Sequence, residues 1–287
     1  MFEDHIYTDM NNKGIYANVQ DYCATEGVRK PIKGMTSSIV TGSVNRSHGI
    51  KPMSVVIPAI LLLLMQILLG KAGHLVADVI PYQQFDPYNA FAGISIHHVV
   101  QMMIALAMIV ALSKLLKIDF YFQIGDVKIG SRILALFTSA YVAISITIHI
   151  LMYVNNQLPT YGFPLDVRNI IGTLGFQLFL SGPSEEIVYR AIPITLLTYA
   201  FGRSIPVKGS LTLEVILVSI LFSLAHTNWS LQPLVFQADP FQLIYAFALG
   251  IIQGVAYQRS NSILYPILMH SISNVLMVGT GYLFTVF

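Results

Sequence analysis

Ser184-Glu185-Glu186-Ile187-Val188-Tyr189-Arg190 sets three charges in a stretch that otherwise holds no Asp, Glu, Lys or Arg from Asn169 to Gly202. A span of that length crosses a bilayer, which takes about 20 apolar residues. A charge at bilayer depth costs at least about 2.5–3.5 kcal/mol, so such side chains face a partner or a wet cavity. Glu186 and Arg190 are four apart and share one helical face, where they can pair. Glu185 projects about 100° away and has no basic residue within a turn. One carboxylate is therefore paired and its neighbour is left over.

Around this stretch the chain reads as membrane protein. It is 55% hydrophobic and 10% charged over 287 residues, against roughly 25% charged in a soluble domain. A net charge of +2 without a basic patch points away from a nucleic-acid partner. Cys23 stands alone, which excludes an intrachain disulfide and a cysteine zinc site. Residues 1–50 hold no apolar run of the signal-peptide kind. The expected fold is all-α: a polytopic transmembrane bundle of 7–8 spans behind a polar tail. Apolar runs place spans at 53–70, 94–116, 133–154, 170–201, 211–226, 241–257 and 263–283, with 71–90 as a loop. Three regions follow: a cytoplasmic tail (1–52), N-terminal membrane helices (53–160) and a motif-bearing membrane domain (161–287).

With the N-terminus inside, nearly all loop Lys and Arg lie on the inner side and only Lys71 and Arg168 on the outer. This positive-inside bias predicts a cytoplasmic N-terminus in a multi-pass cell-membrane protein and, for seven spans, an outer C-terminus. His97-His98 point about 100° apart on a helix, so they read as interfacial residues and not as a paired site. His149, late in the third span, reads as a packed or interfacial residue. Gly182-Pro183 is expected to kink the fourth helix ahead of Ser184. Gly250-Ile-Ile-Gln-Gly254 is a spacing that lets helices approach closely.

Two further polar groups interrupt the C-terminal helices, Phe222-Ser-Leu-Ala-His226 and His270-Ser-Ile-Ser-Asn274. His270 and Asn274 stack on one helical face. Converging with Glu185, these groups can supply a general base for water and donors for an oxyanion. They can also offer zinc three ligands, Glu185, His226 and His270, with an open fourth position. The plainer reading leaves Glu186–Arg190 as a helix-locking ion pair, His226 as an interfacial residue beside Trp229, and His270 and Asn274 as interhelical hydrogen bonds. Straight spans put Glu185 and His226 at different depths, so a kink, a tilt or a displaced boundary is required if they meet.

Glu-Glu-x-x-x-Arg (185–190), Phe-x-x-x-His (222–226) and His-x-x-x-Asn (270–274), in this order, resemble the motifs of the CAAX-protease and bacteriocin-processing (CPBP/Abi) family of intramembrane endopeptidases. The resemblance covers about 165–285 and includes Asn261-Ser262-Ile263-Leu264 ahead of the last histidine. It implies peptide-bond hydrolysis in the bilayer on a membrane-associated protein or peptide, either a prenylated CAAX-type protein or a bacteriocin- or pheromone-type peptide. It gives Glu185 and His226 the activation of water, His270 and Asn274 the oxyanion, and Glu186, Arg190 and Phe222 supporting places. It implies a glutamate-dependent enzyme with no required cofactor, zinc being the less favoured alternative. Two other classes compete: a non-enzymatic immunity or regulatory membrane protein of the same fold, and a small proton-coupled transporter using Glu185. The full motif set argues against the first. The lack of a repeated broken helix argues against the second.

Overall fold

The computed structural model describes residues 52–231 and 234–286. The tail expected over 1–52, with Cys23, lies outside them except for Pro52, which opens the first helix. Among the described residues, seven helical columns correspond one to one with the expected spans. Helix α1 runs Pro52–Val79, α2 Ala92–Leu116 and α3 Val127–Val154. The fourth column covers 167–201 and is built from α4 (Val167–Phe176), a π turn (Gln177–Ser181), α5 (Gly182–Glu186), a second π turn (Ile187–Ala191) and α6 (Ile192–Phe201). The last three are α7 (Leu213–Leu224), α8 (Pro240–Ser260) and α9 (Leu264–Val286). Five of the helices are long and apolar enough to span a membrane, and α7 is a shorter apolar helix.

Short polar residues start these helices. Asp126 accepts from the Ile129 N–H at 2.9 Å, Asp166 from Asn169 at 2.8 Å and Asp239 from Phe241 at 2.8 Å. Each cap satisfies an amide that no helical carbonyl can reach, for about 1 kcal/mol. Gly202, at φ 70°, closes the fourth column in the left-handed conformation glycine tolerates.

One expectation changes. The stretch 71–90 is not all loop, because α1 continues to Val79. No proline interrupts residues 71–80, and Lys71 and His74 line a cavity, so their polarity does not end the helix. The all-α reading holds, with two short antiparallel hairpins added between helices, β1 (Pro206–Lys208) with β2 (Leu211–Thr212) and β3 (Asn228–Leu231) with β4 (Leu234–Gln237). They bracket α7, too short for the alternation by which strands are recognised. The irregularity expected at Gly182-Pro183 is present as the π turn immediately ahead of it, which accommodates the backbone hydrogen bond that proline cannot donate. The glycine serves a close approach instead: a Cβ there would lie 2.3 Å from Ser271 Oγ and 3.0 Å from Ile267 O, on α9.

The core sits around the fourth column. Val188, Ala191, Ile192 and Leu197 are fully enclosed, with Val215 of α7 and Tyr257 of α8. The glycine pair of α8 packs on α7, where a Cβ at Gly250 would meet Ser219 at 3.0 Å and one at Gly254 would meet Val215 at 2.9 Å. Outward faces carry exposed Leu61, Leu68, Leu136 and Phe241, as a lipid-facing surface should.

Candidate active site

Glu185 and Glu186 leave the fourth column in different directions. Glu186 is fully buried. Its Oε1 lies 3.1 Å from Arg190 Nη1 and accepts from His270 Nδ1 at 2.6 Å. Arg190, equally buried, donates through Nη2 to Gln253 Oε1 of α8 at 2.5 Å and lays its guanidinium 3.8 Å from the centre of the Phe222 ring. This pair therefore contacts α7, α8 and α9 at once, with the Phe222 ring as a cation–π partner of Arg190. The Glu186–Arg190 ion pair is formed, and the same carboxylate meets His270.

Glu185 faces the other way, into a cavity of about 780 Å³ between α1, α2, the column and the end of α7. Its Oε1 accepts from Ser181 Oγ at 3.1 Å and meets His98 Nε2 at 3.3 Å. Its Oε2 lies 3.8 Å from His270 Nε2, too far for a hydrogen bond. His226 lines the same cavity. The two depths agree after all: at 1.5 Å per residue Glu185 lies roughly 24 Å from the Phe201 end of its column and His226 roughly 20 Å from Leu213. The hairpin β1–β2 joins those two ends, so they lie at one level.

His98 and His226 are presented alike. The Nδ1 of His98 is 2.9 Å from Ile94 O, and that of His226 is 2.8 Å from Phe222 O. A carbonyl only accepts, so each Nδ1 carries the hydrogen and each Nε2 is the nitrogen left for other partners. Asn274 donates its amide to Gln177 Oε1 at 2.8 Å and Ser181 Oγ at 3.0 Å, which places it beside the hydroxyl that holds Glu185. The sequence-derived set Glu185, His226, His270 and Asn274 thus gathers around one carboxylate.

His270 donates Nδ1–H to Glu186 and keeps Nε2 toward Glu185, and among the described residues no three His, Cys, Asp or Glu side chains are grouped so as to hold a metal ion. Sequence reasoning also missed partners. His98 is not interfacial: it and His97 are buried, each 7% exposed, because they back onto the cavity. Gln177, Ser181 and Gln253 went unremarked, although a polar residue in an apolar helix is itself a signal. His149 is packed as expected, 2% exposed with Nδ1 on Ser145 O.

Residues 167–276 match the family model of Type II CAAX prenyl endopeptidase Rce1-like. The match holds all three motifs and leaves α1–α3 outside it. No curated protein and no solved structure matches the chain. Over residues 167–276, then, this multi-pass helical chain, whose motif residues lie around one partly buried carboxylate, is similar to the Rce1-like CAAX prenyl endopeptidase family.

Proposed function

We propose that the protein is a glutamate-dependent intramembrane endopeptidase acting on a membrane-associated protein or peptide, a prenylated CAAX-type C-terminus being the first candidate. The observation that carries this is the placement of Glu185 and His226, from separate columns, on one cavity with His270 beside them. The family match supports the same reaction class.

In this reading a water sits between His226 Nε2 and Glu185 Oε2. Glu185 takes a proton from it as the water oxygen adds to the substrate carbonyl carbon. The carbonyl oxygen becomes an oxyanion, met by His270 through a hydrogen on Nε2 and by Asn274, which turns one N–H away from Ser181. Collapse breaks the C–N bond, and the proton held by Glu185 passes to the leaving amine. No step is routed through a metal. Elemental analysis of purified active protein tests this, and stoichiometric zinc whose removal abolishes activity would overturn it.

Glu185→Gln is the decisive variant. It should accumulate normally and leave a cleavage product absent from a proteomic comparison of membranes. Loss of a general base typically lowers the rate about 10²–10⁴-fold. Unchanged cleavage in that variant would sink the proposal. The charge bias supports a cytoplasmic N-terminus. Cysteines at Arg203 and Asn156, in a Cys23→Ser background, should then react with an impermeant reagent from the inner and outer faces respectively; the reverse pattern would refute it.

A further inference from the structure

We infer that His98, on α2 and outside the family-matched segment, is a positioning residue for Glu185. It holds one carboxylate oxygen and leaves the other for the reaction. The inference rests on the catalytic reading of Glu185 above.

Four observations carry it. First, the Ile94 carbonyl fixes the hydrogen on Nδ1, so neutral His98 would present a bare Nε2. Second, that Nε2 lies 3.3 Å from Glu185 Oε1. A bare ring nitrogen and a carboxylate oxygen both only accept, so a proton must lie between them. The pair therefore holds one proton more than a neutral imidazole and a carboxylate, and its net charge is zero. That suits a carboxyl group at bilayer depth, where an uncompensated charge is costly. Third, Ser181 Oγ donates to the same Oε1, so both partners converge on one oxygen. Oε2, which among the described residues has His270 Nε2 at 3.8 Å and no hydrogen bond, is the oxygen placed to receive a proton from water. Fourth, the ring is held independently of Glu185, by Ile94 O on one edge and by Phe176, whose ring centre is 4.9 Å away.

A buried histidine often does no more than satisfy itself. Here the backbone bond already satisfies one nitrogen, and the second is aimed at the carboxylate that carries the motif. The other titratable groups around it are His97 on α2, His74 and Lys71 across the cavity on α1, Tyr189 of the column and His226 of α7. Apart from Glu185, none of these is a carboxylate. Docking of α2 does not need the ring, because Ser184 Oγ donates to the His98 carbonyl at 3.0 Å. Replacing the ring should therefore leave the fold standing.

The test uses the full chain in lipid nanodiscs and has two arms. In nitrogen-15 NMR of histidine-labelled protein, the His98 signals are those lost in His98→Gln. Nδ1 should show a protonated shift, and the Nε2 shift should move in Glu185→Gln. A bare Nδ1, or an Nε2 indifferent to Glu185→Gln, overturns the pairing, and this arm needs no substrate. In the kinetic arm, a fluorogenic farnesylated peptide ending in a CAAX sequence is the probe. His98→Ala should lower kcat roughly 10²-fold with KM unchanged, the scale of a misplaced catalytic group. His98→Gln, whose amide can still donate to Oε1, should recover part of it. A wild-type rate in His98→Ala beside an inactive Glu185→Gln overturns the inference and spares the catalytic reading. Full activity in Glu185→Gln fells the catalytic reading, while the NMR arm still decides the pairing.

Discussion

The two sides of residues 182–191 carry the same kinds of group and treat them oppositely. On the side facing α7, α8 and α9, Glu186 and Arg190 are sealed at 0% exposure, and each is held by neighbouring columns. On the side facing α1 and α2, Glu185 keeps 19% side-chain exposure and opens onto a cavity. A carboxylate sealed with its cation stabilises structure, because every charge has its complement and neither can leave. A carboxylate held through one oxygen, beside space for water and substrate, is left able to change its protonation. One residue step along a helix separates the two, since successive side chains diverge by about 100°.

The largest effect expected from breaking this division is in Glu186→Gln. It orphans a fully buried Arg190 and takes the negative charge from the acceptor of His270 Nδ1. Removing one partner of a buried ion pair costs about 3–5 kcal/mol, so the variant should fail to accumulate, or unfold well below wild type in a thermal-shift assay. Glu185→Gln should not. Equal stability of the two variants would erase the distinction between the sides.

A smaller effect sharpens the picture of how the sealed side is closed. Gly182→Ala puts a methyl 2.3 Å from Ser271 Oγ and 3.0 Å from two backbone atoms of α9. The hydroxyl can rotate away but the backbone must shift, for about 1–3 kcal/mol of overpacking. Because α9 carries His270 and Asn274, turnover should fall along with stability. A variant as stable and as active as wild type would mean that α9 moves freely there.

The smallest effect lies on the open side, at the turn that feeds α2. Burial alone would raise the Asp86 carboxyl. The N–H groups of Ala92, Phe91 and Ala90, all within 2.9 Å, outweigh that and hold it below the usual carboxylate range. A group lowered in the folded state stabilises above its unfolded value, near about 4, and the gain is lost as pH falls through the folded value. The thermal midpoint should therefore drop on acidification below about pH 4. Asp86→Asn should lower it at neutral pH, through a stability loss of about 1 kcal/mol for a capping group, and flatten that part of the pH dependence. An unchanged midpoint at neutral pH would show that the turn contributes nothing.

Much of this was legible in the sequence because it is local. Apolar runs give the columns, i, i+4 spacing gives Glu186–Arg190, and His270 with Asn274 share a face by helical geometry alone. What was not legible is what helices do to one another. Nothing near His98 in the chain hints that its partner is Glu185, since adjacency rules speak only within a helix. Gln253 hid inside a glycine spacing whose packing explained itself. Lys71 and His74 read as loop because their water is supplied by a cavity that three other columns build.

Helix α7 covers only about 18 Å along its axis at 1.5 Å per residue, against a hydrocarbon layer of about 30 Å. The lipid around it must thin, or let headgroups and water down to the level of His226, at a modest energy per ångström. Acyl chain length thereby becomes a variable of the reaction. In thick bilayers the dip around α7 deepens and its energy rises, so the mouth beside His226 should close over, whereas thin ones should leave it open. The membrane in which the protein resides would then act as a further wall of the chamber, setting how readily a polar peptide segment reaches Glu185.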